Sequence, residues 1–246
     1  MWCKTVEATP VEPPADPILW LRADDASAAG DNGEVSSFND HLSGAVQYVS
    51  PNGAGYSPRY KAGIINGKDA LQFDGNDWMQ VVQDGVGPYV YTGVTATQFF
   101  VVYLPELCLP GGVVVGDNLA LYLGQLVEWQ SYHQPYVYDG PAINNAWDDT
   151  DDGPVPHLFC MQVDDSGTQA YLRLTVWNGS TMVEAFNDIS GPGSLAGRGS
   201  WNLGSEPAGG SNWFTGLLAE WRLYDGSMTN DQVNLVAEEL ADFYSL

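Results

Sequence analysis

Two stretches carry the residue types best suited to chemistry. Positions 127–139 read VEWQSYHQPYVYD. Trp129, Tyr132, Tyr136 and Tyr138 offer aromatic faces on which the C–H side of a sugar can stack. Gln130, Gln134 and Asp139 offer planar polar groups for its hydroxyls. Tyrosine and tryptophan also dominate protein interfaces, so a glycan or a protein partner fits this stretch. The second stretch, 147–153, reads WDDTDDG. Calcium takes six to eight oxygens from flexible acidic loops, and Asp148, Asp149, Asp151 and Asp152 supply carboxylates for it. The alternating D-x-[DN]-x-[DN]-G register is not met, and a solvated acidic loop is the alternative. Asp24, Asp25 and Asp31 form a weaker second cluster. Calcium is therefore the one cofactor to expect here, and none is required.

Other catalytic machinery is sparse. His41, His133 and His157 lie in separate segments with no H-x-H or H-E-x-x-H spacing for zinc. No G-x-S-x-G is present. Cys160 sits in an apolar run and reads as core rather than as half of a Cys/His pair.

The elements that must position such residues are mostly strands. Residues 18–22, 98–104, 111–115, 119–123, 157–163 and 170–177 are apolar or alternating runs separated by Gly, Asp, Asn and Pro. Leu172, Leu174 and Val176 are expected on one face of their strand, and Tyr171, Arg173, Thr175 and Trp177 on the other. Near the end of the chain, Leu217, Ala219, Trp221 and Leu223 alternate with Leu218, Glu220, Arg222 and Tyr224. That period of two predicts a closing strand. After the Asp225-Gly226 turn, Thr229 and Gln232 form a capping box. Val233, Val236, Ala237, Leu240 and Tyr244 then recur at helical spacing, with Asp231 in the first turn where the helix dipole favours it. With 28 glycines and many short strands, the chain predicts an all-β, two-sheet antiparallel sandwich closed by one short C-terminal α-helix. Residues 1–16, rich in Thr, Glu and Pro, read as an extended arm or linker. Residues 17–246 fit one domain.

A formal charge of −23 on 246 residues, with only 8 Lys and Arg, repels nucleic acid and anionic membranes. No apolar run is long enough for a membrane-spanning helix, and the first residues show no secretory h-region. The three cysteines, Cys3, Cys108 and Cys160, read as free thiols of a reducing compartment.

The two ends of the chain resemble one family. The segment FTGLLAEWRLYDGSMTNDQVNLVAEELADFYSL, the strand Trp20-Leu21-Arg22-Ala23-Asp24, Phe38 and Asp40 before Ser43-Gly44, and the LQFDGNDWM segment at 71–79 resemble concanavalin A-like lectin/glucanase (laminin-G-like jelly-roll) domains. The resemblance implies a jelly roll, with LQFDGNDWM as a hairpin that Asp74 and Asp77 cap. It also raises enzyme activity, because glucanases of this architecture carry E-x-D-x-x-E on one strand. No glutamate here has an aspartate two residues on. Glu220 has Arg222 as its same-face neighbour, which suits a structural ion pair. These features together suggest a non-enzymatic structural or binding module. The expected setting is a phage virion surface: a decoration, head-fibre or tail-associated protein made without export. It would dock to other subunits through residues 1–16 and contact cell-surface glycans. The alternative is an extracellular carbohydrate-binding adhesin module of a bacterial or archaeal surface protein, and a polysaccharide-degrading enzyme is a third reading.

Overall fold

Asn66-Gly67 sets the first sharp reversal. Both residues have positive φ, 48° and 83°, and they join two strands whose ends, Ile65 and Lys68, pair directly. Such a two-residue loop matches the right-handed twist of the strands, and asparagine followed by glycine tolerates it best. In the computed structural model, residues 11–50, 55–84, 87–89, 91, 93, 95–103, 112–116, 120–123, 135–138, 155–164, 170–190, 201–204 and 213–246 are described.

Within these residues the strands are β1 (Leu19–Arg22), β2 (Ser37–Asn39), β3 (Val46–Val49), β4 (Arg59–Ile65), β5 (Lys68–Asp74), β6 (Met79–Gln83), β7 (Gly87–Pro88) and β8 (Thr95–Tyr103). They continue with β9 (Gly112–Gly116), β10 (Ala120–Leu123), β11 (Pro135–Tyr138), β12 (Pro156–Asp164), β13 (Ala170–Trp177), β14 (Met182–Ser190), β15 (Asn202–Leu203) and β16 (Thr215–Asp225). Helix α1 spans Asn230–Tyr244. The first sheet runs β14-β13-β12-β8-β16-β5-β4, with β1 also on β16. The second runs β11-β10-β9-β15-β6-β3-β2, with β7 on β6. The described pairings are antiparallel. The expected two-sheet sandwich with one C-terminal helix is the observed architecture.

Between the sheets lies one core, with Leu19, Leu71, Phe73, Phe100, Phe159 and Trp221 from the first sheet and Phe38, Tyr48, Met79, Val81 and Leu203 from the second. Trp201 stacks on Trp221 at 5.6 Å, Tyr48 meets the edge of Trp221 at 6.5 Å, and Phe38 stacks on Tyr48 at 4.8 Å. Each such pair adds about 0.5–1.5 kcal/mol beyond its buried area.

Helix α1 covers the outer face of the first sheet. Val233, Val236, Ala237, Leu240 and Tyr244 are all buried, as their spacing requires, and Thr229 and Gln232 form the capping box in full. Each buried Val or Leu contributes roughly 1.5–3 kcal/mol. The helix makes a second core with Phe99, Val101, Leu158, Cys160, Leu217 and Ala219. In β13, Leu174 and Val176 enter the core between the sheets, while Trp177 packs on this outer-face core, as the alternation of that strand predicts.

Three expectations are corrected. The closing strand does not alternate uniformly. A register irregularity between Leu218 and Glu220 switches its parity, so Leu217 and Ala219 face the helix while Leu218, Trp221 and Leu223 face the second sheet. A bulge inserts one residue, and a one-residue shift flips every later side chain. The strand read through Ala23 and Asp24 ends at Arg22, and residues Ala23–Ala29 form a 3-10 helix. Finally, LQFDGNDWM is not a hairpin. It carries the chain from β5 in the first sheet to β6 in the second. Asp77 does cap this corner, accepting the Asp74 N–H at 3.0 Å, and Gly75 turns at φ 98°.

Candidate functional site

A cleft of about 400 Å³ opens where β4, β5, the end of β8 and the start of β16 meet. Tyr103, half-buried against the outer-face core, forms one wall. Lys61, Gln72, Asp74 and Thr215 bring polar groups, while Ile64 and Leu217 bring apolar surface. β5 explains this mix. Leu71 and Phe73 point into the core, so Gln72 and Asp74 point the other way. Gly216, on the cleft's lining, has no room for a side chain on its core side: a Cβ there would lie 2.5 Å from the buried Phe214 ring and 3.0 Å from the Tyr103 carbonyl oxygen. The Lys61 ammonium is already engaged by the Asn32 side-chain oxygen.

Beneath Asp74 lies Asp77, only 4% exposed. Burial pushes the Asp77 carboxyl up to about 7. The Asp74 carboxylate beside it adds to the shift, while the bond from the Asp74 N–H and the charge of Arg59 oppose it. The protonated Asp77 shares a hydrogen bond with the Asp74 side chain. That is too close for a retaining glycosidase pair, whose carboxyls stand about 5–5.5 Å apart. The pair has a pH signature instead. Because the folded pKa exceeds the ordinary 3.8, its stabilisation is complete below about pH 4 and is lost as pH rises through about 7. Urea titrations at pH 5 and pH 8 should show wild type losing roughly 2 kcal/mol relative to Asp77→Asn, about half the full linkage value because Asp74 is solvated. Parallel pH profiles for the two proteins would contradict the assignment.

Beside the cleft, the residues that carried the family resemblance converge on one carboxylate. Glu220, 1% exposed, accepts from Trp20 Nε1 at 2.7 Å and Arg222 Nε at 2.5 Å through Oε1, and from the Tyr244 hydroxyl at 2.7 Å through Oε2. Arg222 also meets Glu239 at 3.0 Å and lies 4.2 Å from the Trp20 ring centroid. Burial by itself would lower the Arg222 guanidinium, but Glu220 more than offsets it and holds the pKa above its usual range. With bonds to both oxygens, Glu220 ties β1, β16 and α1 together. The ion pair expected from sequence is thus observed. Asp40 plays a similar part, accepting from the Trp20 and Leu42 N–H groups and the Tyr48 hydroxyl.

The other sequence candidates fare differently. Asp24, Asp25 and Asp31 do not form a calcium cluster: Asp24 pairs with Arg22 at 2.7 Å, Asp25 with His41 at 3.1 Å, and Asp31 accepts the Ala62 N–H at 3.1 Å. Among the described residues no three His, Cys, Asp or Glu side chains come together to hold a metal. Cys160 is a buried free thiol whose pKa burial pushes up to about 12, which suits core rather than nucleophile. Tyr136 and Tyr138 lie on β11, at the edge of the second sheet, opposite Tyr122 and Ala120. Trp129, Gln130, Tyr132, Gln134 and Asp139, and the acidic loop of Asp148, Asp149, Asp151 and Asp152, lie outside the described residues, as do residues 1–10 of the arm. Glu12, in the remainder of the arm, accepts from the Gln232 side chain at 3.3 Å. Sequence reasoning missed the cleft because three separate segments build it. The signal that could have found it is Asn66-Gly67, which announces the β4–β5 hairpin.

The chain matches no protein-family model and no curated protein sequence. Among solved structures, it is similar to domain 4 of AbnA, a GH43 extracellular arabinanase from Geobacillus stearothermophilus in complex with arabinotriose. That match has a TM-score of 0.59 and 17% identity and covers 91% of this chain and 99% of that one. It is also similar to an arabinofuranosidase complexed with arabinofuranosyl-α-1,2-xylobiose, with a TM-score of 0.60, 14% identity, and 89% and 53% of the two chains covered. A third is a Trypanosoma rangeli sialidase, with a TM-score of 0.57, 14% identity, and 98% and 36% covered. The chain thus spans about half of the arabinofuranosidase and about a third of the sialidase. These neighbours are glycoside hydrolases or domains of them, and they overturn the expectation of a non-enzymatic module: the same sandwich fold occurs in glycoside hydrolases, and it is compatible with the lectin/glucanase-like architecture expected from the chain ends.

Proposed function

We propose that the chain is a carbohydrate-recognising β-sandwich of the concanavalin A-like kind, and that the cleft at Tyr103 takes a neutral saccharide. The observation that carries this is the cleft's composition: an aromatic wall faces an amide, a carboxylate and a hydroxyl around about 400 Å³. Sugar sites need this pairing of a C–H stacking surface with a few oriented polar groups. The shared fold supports it, since the neighbours named above were solved with arabinotriose or an arabinofuranosyl xylobiose. A net charge of −23 and Asp74 at the rim disfavour acidic sugars, and Lys61 is held by Asn32. The virion-surface setting draws no support from these neighbours.

The test is a panel of neutral arabinan, xylan, glucan, galactan and mannan oligosaccharides, with sialyllactose as the acidic comparison, read by calorimetry and by product analysis. Wild type should bind a neutral member, and Tyr103→Ala should weaken binding at least about tenfold, equivalent to roughly 1.4 kcal/mol. Preference for sialyllactose, or unchanged binding by Tyr103→Ala, would contradict the proposal.

A further inference from the structure

A second hollow, of about 600 Å³, lies beside the first. Its walls come from the start of β12, the end of β13 and the end of α1. The Asn66 amide fixes one wall by donating to the carbonyls of Tyr244 and Ser245, at 2.9 and 3.1 Å. Trp177 forms another, half-buried against the same outer-face core as Tyr103. Its indole N–H has no hydrogen-bond partner among the described residues. A buried donor left unpaired is costly unless water or a ligand supplies the acceptor.

The two hollows adjoin at two seams. Tyr103, in the first, pairs directly across the sheet with Pro156, in the second. Ile64 and Asn66, one in each, stand two positions apart on the same hairpin. From Tyr103 on β8 across β12 to Trp177 on β13 is two strand spacings, roughly 10 Å. An aromatic wall thus stands in each of two neighbouring hollows. One sugar ring cannot reach both walls, whereas a linear chain can.

Resting on the carbohydrate proposal above, we infer that the two hollows are one groove and that its ligand is a linear oligosaccharide rather than a single terminal sugar. Each further unit laid toward Trp177 adds contact without a second association cost.

The experiment titrates the full chain with arabinan, xylan and glucan oligosaccharides graded from two to six units. Affinity should rise at least about tenfold from the two-unit to the six-unit ligand of the preferred series. Trp177→Ala should flatten that rise, bringing six-unit affinity close to the two-unit value. Val183→Trp, which fills the hollow from an exposed position and removes no core side chain, should do the same. Affinity independent of length, with both variants behaving as wild type, would overturn the single groove and leave binding at Tyr103 standing. No binding at any length would overturn the carbohydrate proposal itself, and the groove with it.

Discussion

Glu220→Ala should lower stability by about 3–5 kcal/mol, a melting-point drop on the order of 10 °C for a chain of this size. Three donors lose their acceptor at once: the part-buried Trp20 Nε1 and the buried Arg222 Nε and Tyr244 hydroxyl. The guanidinium of Arg222, with its side chain 7% exposed, loses its buried counter-charge and keeps as its anionic partner Glu239, whose own side chain is 62% exposed and therefore screened. Breaking a buried pair from one side costs far more than the pair contributes, because the surviving charge stays in a poorly solvating site. Glu220→Met combined with Arg222→Met should consequently recover much of the loss, although it removes more polar contacts. Calorimetric melts of the three proteins decide the point. A Glu220→Ala melt within about 2 °C of wild type would show that the network does not join β1, β16 and α1.

Gly204→Ala should cost about 3 kcal/mol, or roughly 8 °C. Gly204 has φ 83°, which L-residues adopt at a cost of about 1–2 kcal/mol. A Cβ there would also lie 2.5 Å from Phe73 Cδ1 and 2.7 Å from the Asp77 carbonyl oxygen. Neither neighbour can move freely. Phe73 is 1% exposed and packs on Phe214 at 5.7 Å, and Asp77 belongs to the corner that joins the two sheets. Gly67→Ala separates the two contributions. It has the same φ, 83°, with nothing within 4 Å of the added Cβ, so it should lose only the conformational part, about 1–2 kcal/mol. Equal losses in the two variants, measured by urea unfolding, would mean that the packing around Gly204 is not tight.

Local chemistry made the helix legible. Thr229 and Gln232 are reciprocal partners three residues apart, and the apolar period of 3.6 needs no knowledge of the rest of the chain. The chain ends were legible as family features, yet their physical role was not. Trp20 and Glu220 meet across 200 residues, and only the fold places the indole N–H on the carboxylate. The bulge at Leu218 to Glu220 left no trace in the hydrophobic pattern, because β16 is buried on both faces and apolar residues suit either parity. The 3-10 helix at Ala23–Ala29 was hidden by small and acidic residues with no apolar period. The cleft was illegible for a related reason. Lys61, Gln72, Asp74, Tyr103 and Thr215 are unremarkable where they stand in sequence, and four strands must pair before they share a wall. Sequence attention went instead to dense local motifs at 127–139 and 147–153.

The most direct test of carbohydrate recognition is to locate the ligand. Backbone amide shifts of isotopically labelled protein, followed as the preferred neutral oligosaccharide is added, report which residues it reaches. Shifts concentrated at Gln72, Asp74, Tyr103 and Thr215, absent in Tyr103→Ala, are the expected result. Shifts confined to the second sheet, or no shifts at saturating oligosaccharide, would contradict a saccharide site on the outer face of the first.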